Sequence, residues 1–281
     1  MHSEEFDYEG YLVYTPARAV HGDSDKFSQE NGPEGWNLGD LPDFKPGTPK
    51  QPQTGFEKIN FYDILDNYDI DPGVAIQFRE MEYLRYKSES FSQESAYVEG
   101  DLREVYVRNI DSVDIFWFST GLLLFRGTKK AVRKAIEDLQ RIKKQELLIE
   151  DLPLSHGAVN QIYDKREILS WNSEIDYTHL HSVEFEGRDE ISKMKISSLK
   201  DRGINTAKVT ENAYPLSLEI SVKIHGEEEI FVDIDRSRVH VRTSDGGLAE
   251  LPPALRIAYS VTIAKEVGQL ALKESFRNVS G

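Results

Sequence analysis

Residues 114–140, DIFWFSTGLLLFRGTKKAVRKAIEDLQ, decide the fold. Two apolar runs flank the turn residues Ser119, Thr120 and Gly121, a pattern that reads as a hairpin. Side chains alternate across a strand, so Ile115 and Trp117 point one way and Phe116 and Phe118 the other, and Leu123 and Phe125 oppose Leu122 and Leu124. The hairpin is therefore apolar on both faces. A helix follows at once, with Thr128 as its N-cap and a stripe of Val132, Ile136, Leu139 and Ile142 opposite Lys130, Lys134, Arg141 and Lys144. One helix covers one face of a hairpin, so the second face needs another partner, supplied by the chain itself, another protein or nucleic acid.

Working outward, 281 residues with 39% hydrophobic side chains can build one large or two small domains. There are no cysteines, which excludes disulfides, thiolate nucleophiles and cysteine-ligated metals and agrees with a reducing cytosol. The first ten residues are acidic, unlike a signal peptide. The longest apolar stretch, 251–272, contains Arg256, Lys265 and Glu266, unlike a membrane span. A soluble, cytoplasmic chain without a membrane partner is expected. The net charge of −15 is unevenly spread: residues 1–100 hold 20 acidic and 8 basic side chains, 101–145 hold 6 and 10, and 146–281 hold 23 and 16. The basic excess sits on the helix after the hairpin, where it forms either a solvated outer face or a contact for phosphate or an acidic partner.

The order of elements suggests two units. Residues 1–55 form an acidic, Pro- and Gly-rich segment, largely irregular after a short strand at 11–14. A first α+β unit occupies 56–150: a strand within 56–64, a helix opened by Asp71 and Pro72 that carries Val74, Ile76, Phe78, Met81 and Leu84, strands at 104–110, 115–119 and 122–126, and the basic helix. Residues 151–172 read as a linker containing a short helix started by Ser155. A second unit, 173–281, repeats the order with a strand at 177–185, a helix at 189–200, a meander at 216–224, 229–235 and 238–243, and a long helix opened by Pro252 and Pro253. The repeat is one of element order, not of residues.

This order, with one motif, resembles the TATA-binding-protein-like fold. The family's hairpin reads Phe, any residue, Ser, Gly, Lys, four residues, Gly, Ala, Lys. Here Phe118, Ser119, Thr120 and Gly121, then Gly127, Thr128 and Lys129, keep the gap between glycines, with Leu122 in place of the lysine and Thr128 in place of the alanine. The resemblance implies a curved antiparallel sheet from two βαβββα-like units with the long helices on one face. It casts Phe118 as a wedge between bases, with Phe116, Leu124 and Arg126 as neighbours. The second unit lacks the motif. Its meander alternates cleanly, with Ile230, Val232, Ile234, Val239 and Val241 on the helix side and Phe231, Asp233, Asp235, Arg238, His240 and Arg242 on the other.

Few residues suggest chemistry. His179 and His181 share one side of a strand, with His225 or His240 as a third ligand, and Asp233 and Asp235 could hold a divalent cation; neither pattern carries the further ligands such a site needs. No glycine-rich phosphate loop or serine elbow is present. The leading expectation is a non-enzymatic, transcription-type protein without a cofactor that binds double-stranded DNA. Its contact residues would be Phe116, Phe118, Leu122, Leu124 and Arg126 on an open sheet face, with Lys129, Lys130 and Lys134 beside them. The alternative is a protein-interaction module or homo-oligomer burying the same face; a metal-dependent enzyme using Asp233, Asp235 and His240 ranks third.

Overall fold

The computed structural model describes residues 10–21, 32–36, 38–98, 101–143, 146–155, 157–159, 162, 175–187, 194–197, 213–224, 228–243 and 246–279. The fold is α+β, with one large antiparallel sheet that does not close on itself. Its strands are β1 (Tyr11–His21), β2 (Thr54–Ile59), β3 (Met81–Val98), β4 (Asp101–Phe118), β5 (Leu122–Arg126), β6 (Leu147–Asp151), β7 (Ile175–Gly187), β8 (Met194–Ser197), β9 (Ala213–Ile224), β10 (Glu228–Ile234) and β11 (Val239–Arg242). Their order is β2-β3-β4-β5-β1-β11-β10-β9-β7-β8, with β6 also paired to β1. The helices are α1 (Phe61–Leu65), α2 (Pro72–Ile76), α3 (Lys129–Ile142) and α4 (Pro253–Val279).

The N-terminal strand joins the halves. It runs eleven residues, well past the short strand expected. One edge pairs with β5 through Thr15–Arg18; the other pairs with β11 through Tyr11–Tyr14 and then with β6 through Ala17–His21. The partner changes at Pro16, which has no N–H to give a ladder and can only accept, as it does from Leu152 at 3.1 Å.

The doubly apolar hairpin receives two covers. On one face Ile115, Trp117, Leu123 and Phe125 pack with Ala131, Val132, Ala135 and Leu139 of α3, and Trp36 and Leu41 close the margin. On the other face Phe116, Phe118, Leu122 and Leu124 share a core with α4. That core continues under the second half of the sheet through Ile230, Val232, Ile234, Val239 and Val241. The two long helices therefore lie on opposite faces, where the resemblance implied one. The cause is legible in α4: residues 257–264 are all buried, the pattern of a helix apolar around its circumference. The sheet lies on one side of it, and Phe61, Leu65, Val74 and Ala158 belong to the same core. Gly268 lets α4 settle on β5, since a Cβ there would come within 3.0 and 3.1 Å of the Leu122 methyl carbons. Leu122, where the resembled motif has lysine, fills this contact. Two hydroxyls inside the helix are satisfied locally: Ser260 donates to the Arg256 carbonyl at 2.6 Å and Thr262 to that of Ala258 at 2.8 Å.

Other expectations shift at their ends. Asp71 does cap α2, accepting from the Val74 N–H at 2.9 Å, but the helix stops at Ile76. Met81 and Leu84 instead open β3, whose ladder begins at Met81 opposite Phe118. Residues 147–151 form strand β6, which was not expected and which ends at the first residue of the expected linker, with Leu147 and Ile149 facing the α3 core. Ser155 accepts from the Ala158 N–H at 3.1 Å, the helix start expected there. Residues 194–197 form β8 where a helix was expected; 189–193 and 198–203 lie outside the described residues, as does Lys144.

Candidate functional site

Two strands of eighteen residues each, β3 and β4, pair along their whole length from Met81 opposite Phe118 to Val98 opposite Asp101. The inner half belongs to the core. The outer half does not: between residues 90 and 112 no described residue is buried. Residues 90–109 thus form a two-stranded arm about 30 Å long, at about 3.3 Å per residue. Along one face of it run Phe91, Tyr97, Leu102, Tyr106 and Ile110, because Tyr97 pairs with Leu102, Gln93 with Tyr106 and Glu89 with Ile110. Tyr97 is 78% exposed, Leu102 63%, Tyr106 61% and Ile110 44%. An isolated two-stranded ribbon is marginal in water, and an apolar stripe on it is a surface awaiting a contact.

The arm is pinned at its root by charge. Glu89 is buried and accepts from the backbone N–H groups of Gly47 at 2.8 Å and Gln53 at 3.1 Å, and from Arg108. Burial opposes its charge, but these donors hold the carboxyl below its usual range. Inward from this root a row of alternating charge crosses the sheet, Glu57 opposite Arg85, Arg85 opposite Asp114 and Asp114 opposite Arg126. Asp114 accepts from Arg85 Nε at 2.8 Å, Arg126 Nε at 2.9 Å and the Tyr83 hydroxyl at 2.7 Å. Burial alone would raise the Asp114 carboxyl, yet Arg126 and Arg85 hold it below the carboxylate range. Burial in turn pushes the Tyr83 hydroxyl well above its ordinary value.

These contacts correct the open-face expectation. Phe116, Phe118, Leu122 and Leu124 are buried under α4 and inaccessible to a duplex, and Phe118 lies beneath Lys265, whose Nζ is 5.4 Å from the ring centroid. Arg126 is a core cation committed to Asp114. Lys129, Lys130 and Lys134 are exposed on α3, and Lys134 donates to Ser88 at the arm's root. Thr128 is the N-cap, accepting from the Ala131 N–H at 3.3 Å.

The metal candidates are engaged with other groups. His181 Nε2 lies 3.0 Å from the Ser221 hydroxyl, and its ring is 5.3 Å from that of Phe231. The side chain of His179 and all of His225 fall outside the described residues. Asp233 faces Arg242 at 3.5 Å, and Arg242 also binds Glu219 at 2.8 Å. Asp235 caps the β10–β11 turn by accepting from the Ser237 and Arg238 N–H groups at 2.7 and 2.8 Å. Partial burial would raise its carboxyl, but His240 and the Ser237 and Arg238 donors hold it at about 2. Among the described residues no three His, Asp or Glu side chains are placed to hold a metal ion. No helix among them is long and apolar enough to cross a membrane.

A groove of about 790 Å³ opens where β1 changes partner at Pro16. Its floor is Val132, Ile136, Ile149 and Leu152; Lys129 and Arg133 of α3 stand on one side and Arg236 and Arg238 of the β10–β11 turn on the other. Glu137 and Asp151 also line it, Glu137 bonded to Arg133 at 3.0 Å. Gly127, which leads into α3, sits so close to the arm's root that a Cβ there would lie 3.0 Å from Val113 and 3.2 Å from the Ser112 carbonyl.

Sequence reasoning missed β3, and with it the pairing that makes the arm, although it expected the outer part of β4 as a strand at 104–110. A signal was present: Tyr97 precedes, and Leu102, Tyr106 and Ile110 follow at four-residue spacing, a Glu-Gly pair at 99 and 100. No family model matches the sequence, and no curated protein matches it.

Proposed function

We propose that this protein is a non-catalytic, cytoplasmic protein-binding module that docks through the arm of residues 90–109. The observation that carries the reading is the exposed stripe of Tyr97, Leu102, Tyr106 and Ile110 on a ribbon that has no core of its own. Tyrosine is the residue type enriched in protein interfaces, because it brings large area at low entropic cost. The charge of the arm supports a protein over a nucleic acid. Residues 90–109 hold four acidic side chains, Glu94, Glu99, Asp101 and Glu104, against Arg103 and Arg108, whereas ribbons that enter DNA grooves need cations for phosphates. The carboxylates proposed for metal chemistry are occupied by Arg242 and His240, which supports a binding role.

The test is site-specific photo-crosslinking in cells, with a benzoyl-phenylalanine at Tyr97 or Tyr106 and, as a control, at Tyr68 on the surface away from the arm. Protein adducts from Tyr97 and Tyr106 but not from Tyr68 are expected. No adduct from either arm position would sink the reading.

A further inference from the structure

We infer that the partner of the arm adds an extended peptide segment, with apolar side chains at every second residue, as a further strand along the outer edge of β3; this rests on the docking reading above. Nearer the core that edge is filled by β2, whose ladder with β3 runs from Ile59 opposite Tyr83 to Thr54 opposite Ser88. The last bond on the edge is donated by the Glu89 N–H to the Gln53 carbonyl at 3.0 Å. The N–H and C=O of one residue leave a strand on the same side and alternate from residue to residue, and the β3–β4 ladder runs without a register shift to Val98. The backbone groups of Phe91, Gln93, Ser95 and Tyr97 therefore point outward as those of Glu89 do, and among the described residues no strand pairs with them. A row of such groups at strand spacing is the complement of another extended backbone.

Charge and register choose the edge and the kind of segment. Proteins guard exposed edges with charges, prolines and bulges. Residues 90–98 of β3 carry one charge, Glu94, and no proline. The outer edge of β4 is likewise vacant beyond the Asp114–Arg126 pair, but residues 101–113 carry Asp101, Arg103, Glu104, Arg108 and Asp111. The β3 edge is thus the unguarded one. Side chains of an added strand opposite Phe91, Gln93, Ser95 and Tyr97 would stand on the face that holds Tyr97, Leu102 and Tyr106. They would carry the stripe across a third strand and turn a marginal ribbon into a three-stranded sheet with one apolar face. The residues between them would share the opposite face with Ser92 and Glu94, where polar side chains fit.

The experiment repeats the crosslinking from a benzoyl-phenylalanine at Tyr97 in chains that also carry one proline, with thermal melting of each purified chain to confirm the fold. Ser95 and Glu104 face each other across the arm, and by the same alternation the Ser95 N–H points out from β3 and the Glu104 N–H out from β4. Neither donates to the ladder of the arm itself, so the ribbon tolerates a proline at either place. Ser95→Pro should lower the yield of protein adducts about tenfold, because it removes an N–H and sets a ring in the path of the added strand. Gln93→Pro, at the neighbouring outward position, should do the same. Glu104→Pro and Ser95→Ala should each keep the yield within about twofold of the chain without these changes. Equal yields from Ser95→Pro and Glu104→Pro, whether retained or lost together, would overturn strand addition on β3 while leaving the docking reading in place. Absence of adducts from the chain without a proline change would remove both.

Discussion

The inner and outer halves of the β3–β4 ribbon share strands and register, yet they meet opposite environments. Inside, Trp117 and Phe116 are fully buried on opposite faces, one against the α3 core and one against the α4 core. Outside, the same ladder carries Tyr97 and Tyr106 into solvent. Hydrogen bonding continues across the boundary, so strand formation alone does not distinguish structural from docking ribbon. What changes is the supply of covering elements. The helices stop covering the ribbon at about Ser88 and Val113, and a charged clamp of Glu89 and Arg108 marks the place.

The sharpest way to break this comparison is to truncate a side chain on each side of the boundary. Trp117→Ala should cost about 4 kcal/mol by urea unfolding, and Phe118→Ala about 3, as for any large buried aromatic. A free wedge residue at Phe118 would instead leave stability near native. Asp114→Asn should cost about 3 kcal/mol, because Arg85 and Arg126 would be left buried without their anion. Since folding lowers the Asp114 pKa, its contribution is fully present above the ordinary carboxylate range and is lost as pH falls through the lowered value. Thermal melts of the native chain should therefore decline more steeply with acid than those of Asp114→Asn. Gly268→Val should cost about 2 kcal/mol by pressing α4 off Leu122, measured in the same unfolding series. The smallest effect falls on the arm, where Tyr97→Ser and Tyr106→Ser should change stability by no more than about 0.5 kcal/mol while abolishing association.

The sequence was most readable where burial imposes a period. The hairpin's two apolar faces announced two covers, and Thr128, Asp71 and Ser155 were recognisable as caps because each precedes an orphan N–H it can satisfy. The clean alternation of the meander likewise put Val232 and Val241 inside and Asp233 and Arg242 outside, where they face each other. The β3 side of the arm was opaque for the same reason: a strand with no core imposes no alternation strong enough to stand out from its Ser and Glu residues, whereas part of the β4 side was readable as a strand at 104–110. The second cover was missed differently. Residues 257–264 are buried on every side, and that pattern belongs to a helix enclosed within the molecule, which is what leaves Phe118 unavailable to a partner.

Residue-resolved hydrogen exchange along β3 and β4 of the purified chain tests the division of the ribbon most directly. The account predicts strong protection of residues 81–88 and 113–118 in the free chain. Residues 90–98 and 101–109 should exchange rapidly in the free chain and become protected only when a partner protein is bound. Equal protection of both halves in dilute solution would show the arm to be part of a stable core and contradict its role as a docking element.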